Sequence, residues 1–435
     1  MSEAIACKFG GSSVADAAQI GKLAAILEAD ARRRFVVVSA PGKRMKQDEK
    51  VTDLLLKCHS MASMHLDFRP TFEQVRERFC SISTDLGTGC IEADLDAVEH
   101  GLREGESVDW VASRGEHLHA RLIASHLGAR YVEAADLIHF DPDGRLDPRS
   151  YTLLGEALSG GGLFVIPGFY GAGPDGRVRT FSRGGSDVTG AIVARAVNAE
   201  VYENWTDVSG LLKADPRIVP DPAPIREVTY RELRELSYMG ATVLHDEAVF
   251  PVRETGIPIQ IRNTNEPSDE GTRIVATRKD SETIVGIAGR PGFSIITLEK
   301  AMMNQEHGFG RRVLEILEGH GMSYEHAPSS IDSMSVVLAD EELEGREDEV
   351  LSDLRGTLQP DRLEVTRYLA LIATVGQGMD HRVGVSGALF AALGAARVNV
   401  RLINQCASEI SIIVGVASED YPRAIRAIYD ALADG

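Results

Sequence analysis

The stretch Lys8-Phe9-Gly10-Gly11-Ser12-Ser13-Val14 decides how the first half of this chain is read. It follows Ala4-Ile5-Ala6-Cys7, a short apolar run that reads as a buried strand. It precedes Asp16 to Ala31, where Ile20, Leu23, Ala24, Leu27 and Ala31 repeat at helical spacing. Strand, Gly-Gly-Ser-Ser turn and helix in succession aim backbone N–H groups and a helix N-terminus at one point, which suits an anion. Two adjacent glycines let the main chain approach a phosphate with no Cβ in the way, and Lys8 adds a mobile positive charge. No Gly-Lys-Ser/Thr follows them, so the turn is not a P-loop. Taken alone, it reads equally well as a plain strand-to-helix connection.

Working outward, alternating strands and helices run to about residue 280. Phe35-Val36-Val37-Val38-Ser39-Ala40 is a continuous apolar strand closed by Pro41 and Gly42, and Leu163-Phe164-Val165-Ile166 is closed by Pro167-Gly168-Phe169. Val201-Tyr202-Glu203-Asn204-Trp205 and Ile257-Pro258-Ile259-Gln260-Ile261 read as two more, with helical stretches such as Asp187 to Val197 between. Continuous rather than alternating apolar strands imply a sheet covered on both faces, hence an α/β sandwich. Ligands of such sheets gather beyond the strand carboxyl ends. Residues 46–110 read as a mostly helical insertion of mixed charge, with no visible chemistry except near its start.

A chain of 435 residues is long enough for two or three domains. Its net charge of −19 argues against nucleic acid or an anionic membrane surface as main partner, though a local pocket can still be positive. Five scattered cysteines, Cys7, Cys58, Cys80, Cys90 and Cys406, lack metal-ligand spacing and fit a reduced, cytoplasmic setting. Neither a signal-peptide pattern nor an apolar run long enough to span a bilayer is present, so a soluble, internal protein is expected.

The C-terminal part, 281–435, contains a repeat: residues 293–358 align without a gap onto 369–434. Gly308 matches Gly384, Val313 matches Leu389, Leu317 matches Leu393, and Met334-Ser335-Val336-Val337 matches Ile410-Ser411-Ile412-Ile413. Each copy reads strand, helix, strand, strand, helix, and two copies side by side can form one larger sheet. Two copies exclude a solenoid and suggest a ligand-sensing or dimerising unit.

Several polar groups sit at turns. Thr180-Phe181-Ser182-Arg183-Gly184-Gly185-Ser186-Asp187 is a second glycine-rich turn before a helix, with Arg183 able to grip a carboxylate through two hydrogen bonds. Asp187 alone would read as a helix cap, but the flanking Gly-Gly and Arg183 favour function. Ser113-Arg114-Gly115-Glu116 follows a short apolar run, Trp110-Val111-Ala112; Glu116 reads either as a cap for a following helix or as a partner for a substrate amino group. His117 and His119, two apart, fall on different helix faces and read as solvated or packing residues. Thr206-Asp207-Val208-Ser209-Gly210 and Ala214-Asp215-Pro216-Arg217 form a turn-rich loop, where Arg217 is the candidate to meet phosphate.

Lys8–Val14, Val36–Ala40, Ser113–Glu116, Arg183–Asp187, Trp205–Arg217, Val243-Leu244-His245 and Arg262-Asn263-Thr264 stand in the order seen in aspartate kinases, which this chain resembles over nearly its whole length. The C-terminal repeat looks like their tandem ACT domains, and Ile403-Asn404-Gln405-Cys406-Ala407-Ser408-Glu409 is similar to the second-module signature. The likeness is to the single-function form, since no dehydrogenase domain follows Gly435. It implies a three-layer αβα amino-acid-kinase sandwich over 1–280 and a pair of ferredoxin-like, βαββαβ-type ACT modules over 281–435.

The resemblance also implies ATP-dependent phosphorylation of the L-aspartate β-carboxylate, the first step towards lysine, threonine and methionine. Lys8 would stabilise charge, with Asp187 ordering it, and Gly10, Gly11 and Ser12 would line the phosphates. Ser39, Thr52, Glu116, Arg183 and Ser186 would bind aspartate; Thr206, Asp207, Lys213 and Arg217 would hold the nucleotide. Mg²⁺ would travel with ATP, with no all-protein metal cage. Thr242 replaces a lysine common in relatives near the Val-Leu-His run, and Leu212 replaces an aromatic residue common beside adenine. Lysine, threonine or both would bind as effector at Glu306, His307, Phe309, Ile331, Asp332 and Ser333, with the second module of a partner chain in a homodimer or tetramer. The alternatives are modules that only dimerise, a kinase for another amino acid, and a catalytically inactive amino-acid sensor of the same fold. Retention of Lys8 and Asp187 speaks against the last.

Overall fold

The computed structural model describes residues 4–89, 91–182, 184–241, 244, 249–278, 282–405 and 410–432. The chain divides into two compact units. Met1–Leu211, Pro224–Leu233 and Val243–Arg278 make the first; Leu212–Ala223, Arg234–Thr242 and Lys279–Gly435 make the second. The boundary expected near residue 280 is accompanied by two short segments before it that join the second unit. Burial is the reason: Ala214 and Val219 lie in the same apolar core as Ile284, Ile372, Leu389 and Val414.

The first unit is built on an eight-stranded sheet. In spatial order its strands are Glu227–Thr229, Thr272–Val275, Ile259–Asn263, Val201–Thr206, Ile5–Phe9, Arg33–Val38, Phe164–Pro167 and Arg130–Tyr131. Every neighbouring pair is parallel except Ile259–Asn263 with Thr272–Val275. Alternate side chains serve opposite faces. Cys7, Phe9, Val36 and Trp205 pack with Ile20, Leu23 and Ile26 of helix Ala17–Glu28 and with the helical insertion. On the other face, Tyr202 meets Gly190 of helix Gly185–Ala196. The result is the expected αβα sandwich.

Two local expectations shift. A short 3₁₀ turn, Gly11–Val14, separates the glycines from helix Ala17–Glu28, which Asp16 caps by accepting from Gln19 N–H. The strand read at Ile257–Ile261 runs instead over Ile259–Asn263, because Pro258 has no N–H and only accepts, from Tyr202. The insertion comprises helices Val51–Ser63, Arg69–Asp85 and Glu92–Glu104, followed by the 20-residue helix Val108–Leu127.

In the second unit the two copies share one five-stranded antiparallel sheet, ordered Ser333–Ala339, Gly286–Glu299, Arg362–Val375, Ser411–Ala417 and Val400–Gln405. The two long central strands pair from Gly286 opposite Val375 to Glu299 opposite Arg362, so neither copy has a complete sheet alone. Helices Phe309–Gly319 and Glu347–Leu358 cover the first copy; Val385–Ala395 and Tyr421–Leu432 cover the second. The second copy has the expected five elements. The first is a strand short: its third element survives only as bridges of His326 to Val337 and Ser329 to Met334. Pro328 interrupts the ladder there, accepting from Ser335 N–H with none of its own to donate.

Candidate functional site

Parallel strands end on one edge of the first unit, so the loops after Ile5–Phe9, Arg33–Val38, Phe164–Pro167 and Val201–Thr206 gather there. Lys8 reaches across the sheet to helix Gly185–Ala196, where its Nζ lies 2.5 Å from Asp187 Oδ1. Asn204 Nδ2, in register with Lys8 on the adjacent strand, donates to the same oxygen at 2.8 Å. Asp187 is therefore not a cap. The N-cap is Gly184, in the left-handed region at φ 72°, with no side-chain cap bond. A carboxylate in the first helical turn is stabilised by the helix dipole as well as by Lys8. The helix rides close to the strand because Gly190 has no Cβ: one there would stand 2.5 Å from the Tyr202 hydroxyl oxygen. That hydroxyl donates to the Asp187 carbonyl at 3.0 Å.

The glycine turn is pinned on both sides. Gly10 N–H donates to Trp205 O at 3.0 Å, and Gly11 O accepts from Gly42 N–H at 2.9 Å. Ser13 accepts from Thr264 Oγ1 at 2.8 Å. Gly11 and Ser12 open a helical turn, so their N–H groups have no intrahelical partner and suit an anion.

Glu116 sits mid-helix in Val108–Leu127, which Ser107 caps, so the cap reading of Glu116 falls. It is buried and accepts from Ala40 N–H, while Oε2 has no partner among the described residues. Burial raises its pKa to about 7, against the lowering effect of the Ala40 N–H. Ala40 is pressed on this helix: a Cβ on Gly115 would stand 2.8 Å from that of Ala40. Ser39 is half-buried at the strand end, and Thr52 half-buried in the first turn of Val51–Ser63. Ser186 is nearly buried against Gly168, where a Cβ would meet its Oγ at 2.7 Å. The histidines expected to be solvated or packing are both engaged: His119 with Ser39 O at 2.8 Å, His117 with Glu133 at 3.0 Å.

Lys8, Gly10, Gly11, Asp187, Asn204, Ala40 and Glu116 thus form one contiguous run of contacts. Thr206 donates to Asp207, beside Trp205. Arg183, Thr242, Val243 and His245 lie outside the described residues, as does Cys406–Glu409. Lys213 and Arg217 belong to the second unit, where each meets an acid: Lys213 with Glu282 at 3.2 Å, Arg217 with Asp215 at 2.7 Å. Leu212 is partly exposed.

The two segments read as an effector site do face each other. Asn304 N–H donates to Ile331 O at 3.1 Å, and Asp332 Oδ1 accepts from Met302 N–H at 2.8 Å. Glu306 is held by Lys300 at 2.7 Å and by Arg312, His307 and Ile331 are exposed, and Ser333 opens a strand. The Phe309 side chain is buried in the core of the first copy, because it starts a helix whose apolar face packs inward. Among the described residues, no group of three or more His, Cys, Asp or Glu is placed to hold a metal ion, and no helix is long and apolar enough to cross a membrane.

Asn204 joins the site without having been singled out in sequence, although a polar residue inside an otherwise buried strand is a signal for it.

A model of the amino acid kinase family matches residues 3–263, and an ACT domain model matches 372–432. The fold and the site thus define an amino acid kinase carrying an ACT module. The chain is 42% identical to aspartokinase 3 of Bacillus subtilis strain 168, over 98% of each. The crystal structure of Clostridium acetobutylicum aspartate kinase, described as an allosteric enzyme, superposes with TM-score 0.95 at 46% identity, covering 98% of this chain and 100% of that one. E. coli aspartokinase III has been solved with aspartate and ADP (R-state; TM-score 0.77, 26% identity) and with lysine and aspartate (T-state; 0.76, 26%). Those two cover 99% of this chain and 100% and 99% of the E. coli chains. The chain belongs to the aspartokinases, within the amino acid kinase family.

Proposed function

We propose that the chain transfers the γ-phosphoryl group of ATP to the β-carboxylate of L-aspartate, giving 4-phospho-L-aspartate and ADP. The observation that carries this reading is the Lys8–Asp187 contact of 2.5 Å beside the Gly10–Ser12 turn. The likeness to aspartokinase III, solved with aspartate and ADP, supports it. A carboxylate acceptor is already ionised at neutral pH, so the reaction needs no strong base. It needs two anions held together and charge dispersed on the γ-phosphoryl group. Asp187, engaged by Lys8 and Asn204, holds the ammonium in place rather than abstracting a proton. Lys8 neutralises the transferred group, and the Gly10, Gly11 and Ser12 amides line the phosphates. Mg²⁺ arrives with ATP and offsets its charge.

Oε2 of Glu116 takes the aspartate ammonium, with Arg183, Ser39, Thr52 and Ser186 completing that subsite; Thr206 and Asp207 take the nucleotide. End-product amino acids bind the facing Asn304 and Ile331 segments of the C-terminal modules, through which two chains pair. An effector of this kind acts by binding the active and inactive forms unequally. The test is ADP release from L-aspartate and Mg-ATP, with and without lysine and threonine. Aspartate-dependent ADP that falls on adding one or both is expected. No turnover, with lysine or threonine binding retained, would overturn the kinase reading in favour of a sensor.

A further inference from the structure

The helical insertion showed no chemistry in sequence beyond its start, yet the structure ties it to the loop that closes on the glycine turn. Arg78, on helix Arg69–Asp85, is buried; its Nη1 lies 2.6 Å from Asp48 Oδ2 and its Nη2 donates to the Gly42 carbonyl. Asp48 is fixed in turn by the side chain and backbone N–H of Arg44, at 2.9 and 3.0 Å. Gly42 is pressed on the phosphate turn: a Cβ there would stand 2.5 Å from Gly11 C and 2.7 Å from Ser12 N. The other end of the loop is held from helix Val108–Leu127. His119, wholly buried, meets the Ser39 carbonyl through Nδ1 at 2.8 Å; a carbonyl only accepts, so Nδ1 carries the proton.

We propose that Arg78 and His119 are positioning residues that hold the two ends of the Ser39–Gly42 loop, Arg78 setting the phosphate side of the site and His119 the aspartate side. A guanidinium shared between a carboxylate and a carbonyl is a stiff, charge-assisted anchor. Because the contacts are close-packed, displacement of Gly42 passes to the Ser12 amide. Displacement of Ser39 passes to Ala40, whose N–H meets Glu116. The inference rests on the phosphate and aspartate subsites proposed above.

A purely structural role would reduce the active fraction and lower kcat with both KM values unchanged; positioning splits them by substrate. On the full chain, Arg78→Met is expected to raise KM for Mg-ATP about fivefold or more, with KM for aspartate within about twofold. His119→Leu is expected to do the reverse. Arg78→Lys, which keeps a cationic donor, and His119→Asn, which keeps a donor near Nδ1, each recover part of the loss. Should Arg78→Met not fold, Asp48→Asn weakens the hold on Arg78 without removing the buried guanidinium, and it too should raise KM for Mg-ATP. Variants whose kcat merely follows their thermal stability, with both KM values unmoved, would overturn the proposal. A wild-type chain without aspartate-dependent ADP release would overturn the functional reading itself, and this inference with it.

Discussion

Glu116 shows how a single residue trades stability for binding. Its buried carboxyl is raised from 4.5 to about 7, so the native chain holds that proton more tightly than the unfolded chain does. Stability from this group is therefore greatest below pH 4.5 and falls as pH rises to 7, by about 3 kcal/mol in all. Glu116→Gln is expected to raise the melting temperature of the ligand-free protein at pH 8 by several degrees while raising KM for aspartate; scanning calorimetry and ADP assays check both. In the wild type, KM for aspartate should fall as pH rises through about 7, and the substitution should flatten that profile. Lys8 behaves differently, since Lys8→Ala leaves Asp187 with Asn204 but no cation among the described residues. Turnover should drop by about 10²-fold or more, with far-ultraviolet circular dichroism retained. Retained turnover would remove Lys8 from the mechanism.

At the scale of an element, two helical glycines have opposite meanings. Gly190 lets helix Gly185–Ala196 approach Tyr202, and a methyl group there would stand 2.5 Å from the hydroxyl oxygen. Gly190→Ala should destabilise by about 1–3 kcal/mol and lower turnover further, since Asp187 rides on the same helix. Gly21, exposed on helix Ala17–Glu28, has nothing within 4 Å of an added Cβ. Gly21→Ala should stabilise by about 1 kcal/mol and leave kinetics unchanged. Denaturant titrations of the pair separate a packing glycine from an incidental one. The helical pattern of residues 17–28 was legible from apolar spacing. The long helix holding Glu116 was less so, since its middle turn, Ser113-Arg114-Gly115-Glu116, is polar yet buried. Periodicity reports hydrophobic faces and is blind to a polar stripe that tertiary contacts bury.

Across the whole molecule, the division into units does not follow a single cut in the chain. Residues 212–223 place Ala214 and Val219 in the core of the second unit. A chain ending at residue 280 should therefore expose these side chains and elute as aggregate in size-exclusion chromatography. A monodisperse, folded fragment would refute this. A cut after Leu358 should be equally damaging, because it leaves strand Gly286–Glu299 without its central partner Arg362–Val375.

The sequence by itself determined the α/β sandwich, the C-terminal repeat whose two copies can share one sheet, and the pairing of a glycine turn with Lys8. Apolar period, turn residues and self-similarity are local properties of the chain, and they survive without coordinates. Only the tertiary structure decided that Asn204 joins the Lys8–Asp187 pair, that Glu116 is buried with one oxygen unpartnered among the described residues, that Phe309 belongs to a core, and that Arg78 grips the Gly42 carbonyl. Each of these depends on which residues distant in sequence are brought within hydrogen-bond reach, and on how much water is excluded around them. Neither quantity is written in local pattern, because both are set by the packing of whole elements.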